Sequence, residues 1–367
     1  DTTVTNNTIF DNHAHGVFLN NSDYNNITEN EIFENGGNPI GSGICIDPAE
    51  HNIIENNVIY NNSIYENHGH GVFLNNSDYN NITNNEVYEN GGNPIGSGIC
   101  IDPAEHNVIE DNVIYNNSIH GVYLINSTNT TVINNTIYDN HVHGVFLNNS
   151  DYNNITNNEV YENGGNPIGS GICIDPADHN IIEDNVIYNN SVHGVYLIES
   201  TNTTVTNNTI YDNHAHGVFL NNSDYNNITE NEIYENGGNP IGSGICIDPA
   251  EHNIIEDNVI YNNSIHGVYL INSTDTTVTN NTIFDNHAHG VFLNNSDYNN
   301  ITENEIFENG GNPIGSGICI DPAEHNIIEN NVIYNNSIHG VYLIESANTT
   351  VTNNTIYDNH AHGVFLN

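Results

Sequence analysis

The sequence predicts an all-β parallel β-helix, a solenoid of about 15 coils of 23 to 28 residues with three short strands per coil, and three observations carry that expectation. A 73-residue unit recurs, each unit divides into three coils, and apolar residues alternate with the two-residue period of a half-buried strand. The phrase Gly-Val-Phe-Leu begins at Gly16, Gly71, Gly144, Gly217, Gly290 and Gly363, a first step of 55 residues followed by four of 73. Within a unit Gly71, Gly98, Gly121 and Gly144 each open the pattern glycine, apolar, any, apolar, so the coils measure 27, 23 and 23 residues. The short first unit leaves one 28-residue coil between Gly43 and Gly71.

In the coil that starts at Gly121, the three extended pieces are Val122 to Leu124, the stretch around Val132 and the stretch around Ile137. Val122 and Leu124 share one face and Tyr123 takes the other. No segment shows the i, i+3, i+4, i+7 apolar spacing of a helix over ten or more residues. Two asparagines recur in every coil, as in Asn135 and Asn140, then Asn158 and Asn163, then Asn185 and Asn190. Asparagine tolerates the left-handed backbone of a corner, and its amide bonds the same amide one coil away, so these positions read as ladders at the bends. Four inward apolar side chains bury too little to offset the ordering of a 23-residue coil, so the coils are stable only as a stack.

Glycine, apolar, any, apolar, then serine, then Asn-x-Ile-x-x-Asn-x-Ile-x-x-Asn is matched by Gly144, Val145, Leu147, Ser150, Asn153, Ile155, Asn158, Val160 and Asn163. This pattern resembles the NosD-type right-handed parallel β-helix repeats of secreted and archaeal cell-surface or sheath proteins. The resemblance covers essentially the whole chain. It implies one right-handed β-helix domain over residues 1–367, with incomplete coils at 1–15 and 363–367.

Charge narrows the function classes. The chain has 46 acidic side chains and no lysine or arginine, a formal charge of −46, so nothing is present to neutralise phosphates and no nucleic acid partner is expected. Apolar runs reach only about four residues, so neither membrane insertion nor a signal peptide is expected.

Several columns should run along the outside of the stack. Cys45, Cys100, Cys173, Cys246 and Cys319 each sit between two inward residues, so alternation turns their sulfurs outward. Neighbouring cysteines are two or three coils apart, roughly 10 to 14 Å, too far for a disulfide within the solenoid. With Phe73, Tyr123 and Phe146 at the same outward position, the column reads either as a lateral interface, closed by intermolecular disulfides in an oxidising extracellular setting, or as free thiols packed under an aromatic ledge. A second aromatic column follows the last inward residue of each coil: Phe10, Phe33, Tyr60, Tyr88, Tyr115 and Tyr138. Its rings would stack on one another.

Two kinds of metal site are readable. His120 and His143 precede marker glycines on adjacent coils, and with His141 and Asp139 they would form a nitrogen and oxygen site for Zn²⁺ or Cu²⁺, repeated as His193, His214, His216 and Asp212. The other reading of these histidines is a stacked neutral imidazole ladder. Asp102, Glu105 and Asp151 would offer oxygens to Ca²⁺ at a bend. The fold itself requires no cofactor.

The terminal half-coils suggest molecules that stack head to tail, one copy completing the rung of the next. The loop Asn90-Gly91-Gly92-Asn93-Pro94-Ile95-Gly96 recurs at 73 and reads as a ridge for lateral contact. An active site is one irregular place on a scaffold, and this chain repeats one unit, so no enzyme is expected. The reading is a structural extracellular or cell-surface protein that polymerises with itself into a fibre, sheath or surface layer. The alternative is a metal- or carbohydrate-binding repeat module of a larger surface adhesin.

Overall fold

The computed structural model describes residues 1–36, 41–62, 69–91, 96–165, 169–238, 242–311 and 315–367. The chain is an all-β parallel solenoid of about 15 coils with three parallel sheets, as expected. Among the described residues there is no helix, so none is long and apolar enough to cross a membrane. The coils fall into two compact units, Asp1–Val186 and Ile187–Asn367.

A representative coil of the first unit has strands Val122–Ile125, Thr131–Ile133 and Thr136–Tyr138, which belong to the third, first and second sheets. Register is strict. In the first sheet of this unit, Val4, Ile27, Ile54, Ile82, Ile109, Val132, Ile155 and Ile182 pair in sequence. The second unit repeats the arrangement, with Val205, Ile228, Ile255, Val278, Ile301, Ile328 and Val351 in line.

The core is what alternation dictates: Val122, Leu124, Val132 and Ile137 are each fully buried, while Tyr123 and Tyr138 between or beside them are half-buried. Marker glycines are obligatory for a packing reason. A Cβ on Gly121 would lie 2.5 Å from Ile137 Cγ2 and 2.7 Å from the Gly144 carbonyl oxygen.

Both asparagine ladders form. Asn135 Nδ2 donates to Asn158 Oδ1 at 3.0 Å and to the Ile109 and Ile133 carbonyls at 2.9 Å, while its own Oδ1 accepts from Asn112. One detail differs from expectation. The left-handed residue at each of these corners is the one before the ladder asparagine, Asn134 at φ 56° and Asp139 at φ 53°. The ladder amide therefore points inward, and the corner residue points out.

Candidate functional site

The interior is filled by aliphatic side chains, amides and hydroxyls, and the rings, thiols and imidazoles stand in columns around it. The ring column on the second sheet is the longest. In the first unit Phe10, Phe33, Tyr60, Tyr88, Tyr115, Tyr138 and Tyr161 stack with centroids 4.8 to 5.1 Å apart. Tyr188, Tyr211, Tyr234, Tyr261, Phe284, Phe307, Tyr334 and Tyr357 do the same in the second. Hydroxyls tie this stripe to the acidic row beside it: Tyr115 donates to Glu86 at 2.9 Å and Tyr261 to Glu232 at 3.0 Å. Burial, reinforced by the Glu232 carboxylate, pushes the Tyr261 hydroxyl up to about 12.

The cysteine column has the expected register but not the expected exposure. Cys100 pairs with Phe73 on one side and Tyr123 on the other, and Tyr123 with Phe146. Yet Cys100 is 1% exposed, and Cys45, Cys173, Cys246 and Cys319 are also buried free thiols. A short side chain between two rings one strand spacing away lies below their edges. Burial, then the Asp47 charge, pushes the Cys45 thiol up to about 12, and Cys319 likewise with Asp321. The expectation of exposed sulfurs ready for intermolecular disulfides is therefore corrected: these thiols are covered and held protonated.

The histidines separate into two roles. His120 and His143 stack at 5.2 Å with planes 6° apart, and His193 pairs with His216 at 5.3 Å and 7°. The Nδ1 of His120 accepts from the His143 amide at 3.3 Å, and the Nδ1 of His143 accepts from the Ser170 amide at 3.0 Å. Burial lowers His143 and His216 to about 4, so both are neutral at ordinary pH.

His141 and Asp139 do not join this pair. They are exposed and line an open cavity of about 620 Å³ with Asn116, Asn117, Ser118, Ile119 and Val142. The four-residue Zn²⁺ or Cu²⁺ sets, His120, His141, His143 and Asp139 and the His193, His214, His216 and Asp212 equivalent, are thus split between two surroundings. Among the described residues no group of three or more His, Cys, Asp or Glu side chains is placed to hold a metal ion. His141 and His143 stand two residues apart and so share parity, but both lie in a bend, where strand alternation does not hold.

The calcium set is also dispersed. Glu105 pairs with Thr128, and the next rung after Thr128 brings Asp151, so Glu105 and Asp151 are two rungs apart, roughly 10 Å. The carboxylate beside Glu105 is Asp78, whose Oδ1 accepts the Glu105 amide at 2.7 Å. Asp102 stands at the end of the third-sheet strand, next to the buried thiol of Cys100. The loop ridge cannot be placed, since residues 92–95 lie outside the described residues.

Sequence reasoning missed one column. Tyr24, His51, Tyr79 and His106 stack at 4.9 to 5.3 Å on the corner before the first sheet. Tyr79 and His106 sit at φ 56° and 58°, a backbone that disfavours bulky side chains. The recurring Asp-Tyr-Asn and Glu-His-Asn triplets were its signal.

A strict coil register, two asparagine ladders and outward columns define a β-helix repeat protein. The family described as right handed beta helix region matches residues 1–95, 38–169, 143–297 and 243–367, and the chain belongs to it. No curated protein matches.

Among solved structures the chain is similar to the mannuronan C-5 epimerase AlgE6 A-module of Azotobacter vinelandii, at 18% identity and TM-score 0.59, covering 82% of this chain and 91% of that one. It is also similar to the periplasmic alginate epimerase AlgG, at 16% and 0.52 over 90% and 76%. A third is the DFA-IIIase of Arthrobacter chlorophenolicus A6 in complex with GF2, at 12% and 0.51 over 82% and 83%.

These neighbours overturn the expectation that the chain is not an enzyme. That expectation treated repetition as evidence against catalysis, and solenoids of this architecture are named as epimerases and a DFA-IIIase. At such identities the likeness shows the fold, and no catalytic residue transfers from them.

Proposed function

We propose that the protein is a structural component of the cell exterior, whose copies associate side by side along the ring stripe. The stripe carries this reading. Rings stacked without interruption from Phe10 to Tyr161, and again from Tyr188 to Tyr357, put a long aromatic strip, half-buried over most of its length, on the exterior. Strips of that kind are surfaces that proteins cover with a partner. A strip with one ring per strand spacing fits best a surface of the same period, which a second copy supplies. The acidic row beside it makes two copies repel, so contact requires screening salt or a bridging divalent cation.

The signature from Gly144 to Asn163 supports the finer NosD-type assignment. A location outside the cytoplasm is supported by the periplasmic AlgG neighbour.

Sedimentation velocity in low salt, raised salt and millimolar Ca²⁺ tests the reading. Larger species in the second and third conditions, lost in a Tyr211→Ser, Tyr234→Ser, Tyr261→Ser variant of unchanged circular dichroism, support it. A monomer in all three conditions overturns it.

A further inference from the structure

The open cavity lined by Asn116, Ser118, Ile119, Asp139, His141 and Val142 has, at about 620 Å³, the size of a small-molecule site. Its backbone frame recurs. His141 donates its amide to the Asn117 carbonyl at 3.0 Å and Val142 to Ile119 at 2.7 Å. The same pair of bonds joins His214 to Asn190 and Ala215 to Val192, His287 to Asn263 and Ala288 to Ile265, and His360 to Asn336 and Ala361 to Ile338. Asp139, Asp212, Asp285 and Asp358 each stand two residues before the histidine. The imidazole itself is cradled: a Cβ on Gly165 would come within 2.9 Å of His141 Nδ1, on Gly238 within 2.9 Å of His214 Nδ1, and on Gly311 within 3.1 Å of His287 Nδ1. A side chain in place of these glycines would press on the ring and displace it.

We propose that this cavity is a binding site for a neutral saccharide, present once per 73-residue unit, so that an uncharged polysaccharide occupies several cavities of one chain. The inference goes beyond self-association and does not depend on it. The lining supplies what a sugar needs. The Asp139 carboxylate accepts from hydroxyls, the His141 imidazole both donates and accepts, and Asn116, whose Nδ2 is engaged by Glu89 at 3.3 Å, offers its carbonyl oxygen. Ile119 and Val142 present apolar surface to the C–H face of a pyranose ring. Anionic ligands are disfavoured because the chain carries 46 acidic side chains and no lysine or arginine.

Spacing sets the length of the ligand. In the second unit the equivalent positions at Asp212, Asp285 and Asp358, which share the backbone frame of the Asp139 cavity, are three rungs apart, roughly 14 Å at one strand spacing per rung. A chain of sugars that spans this step gains by effective concentration what a single sugar cannot.

Calorimetric titration with cellohexaose, laminarihexaose and chitohexaose, against glucose, N-acetylglucosamine and spermidine, tests the proposal. At least one hexasaccharide should bind tenfold or more tighter than its monosaccharide and ahead of spermidine. Combined Asp→Asn and His→Ala changes at Asp139, His141, Asp212, His214, Asp285, His287, Asp358 and His360 should weaken it tenfold or more, with circular dichroism and sedimentation unchanged. In the unaltered protein the exposed histidine Cε1 proton resonances should move on addition of the sugar. No binding by any hexasaccharide, undiminished binding by the variant, or preference for spermidine overturns the assignment.

Discussion

The bend between the first and second sheets and the bend before the first sheet use the same residue and reach different results. At the former, the Asn135 amide donates to Asn158 Oδ1 and to two carbonyls, and its oxygen accepts from Asn112. At the latter, Asn80 donates to Asn107 at 3.3 Å, but the next rung offers Thr130 in place of asparagine. Asn107 Nδ2 and Thr130 Oγ1 are then buried without a hydrogen-bond partner, as are Asn326 Nδ2 and Thr349 Oγ1 in the second unit. Burial is the same in both bends. A ladder amide thus takes its worth from the residue one rung away, which is the nearest-neighbour energetics of a repeat protein in a single side chain.

That contrast can be broken directly. Asn135→Ala removes five hydrogen bonds and leaves buried groups unpaired, and it should cost at least about 3 kcal/mol in urea unfolding. Asn107→Ala loses only the two bonds its oxygen accepts from Asn80, and it should cost about 1 kcal/mol less than Asn135→Ala. Equal losses would mean that the unpaired Asn107 amide is compensated in solution.

The imidazole pairs sharpen the comparison through pH. His143, His216 and His289 are lowered by burial to about 4, against about 6.5 in an unfolded chain. The unfolded chain therefore takes up protons that the native state refuses. Stability is full above the unfolded value and falls as pH drops from about 6.5 towards 4, by roughly 1 to 2 kcal/mol per imidazole at pH 5. Thermal melts at pH 7 and 5 check this. His143→Gln should reduce the drop, and a midpoint that does not fall would contradict neutral buried imidazoles.

Two smaller effects complete the series. Thr130→Asn supplies the missing acceptor and should stabilise by about 1 kcal/mol, read as a rise in the melting midpoint. Thiol labelling at mildly alkaline pH should proceed at the unfolding-limited rate for Cys100, Cys173 and Cys246, because these thiols are buried and raised above their usual range. Rapid labelling of the native protein would restore an exposed thiol column.

How much of this was legible follows from what periodicity encodes. Gly121, Val122, Leu124, Val132 and Ile137 fix a coil because a two-residue period and a glycine that meets Ile137 leave one packing. The stacked rings from Phe10 onward were equally legible, since registered rungs turn a repeated residue into a line. Depth was not. Cys100 occupies an outward register and is still buried, because the size of Phe73 and Tyr123 decides exposure and alternation does not report size. Bends were the other blind spot: His141 and His143 share sequence parity but not surroundings.

Imaging of purified protein by negative stain in millimolar Ca²⁺, beside the triple Tyr→Ser variant at positions 211, 234 and 261, bears most directly on self-association along the stripe. Side-by-side assemblies of the parent protein and dispersed particles of the variant are the predicted result. Dispersed particles in both samples, or assemblies untouched by the loss of the rings, would contradict it.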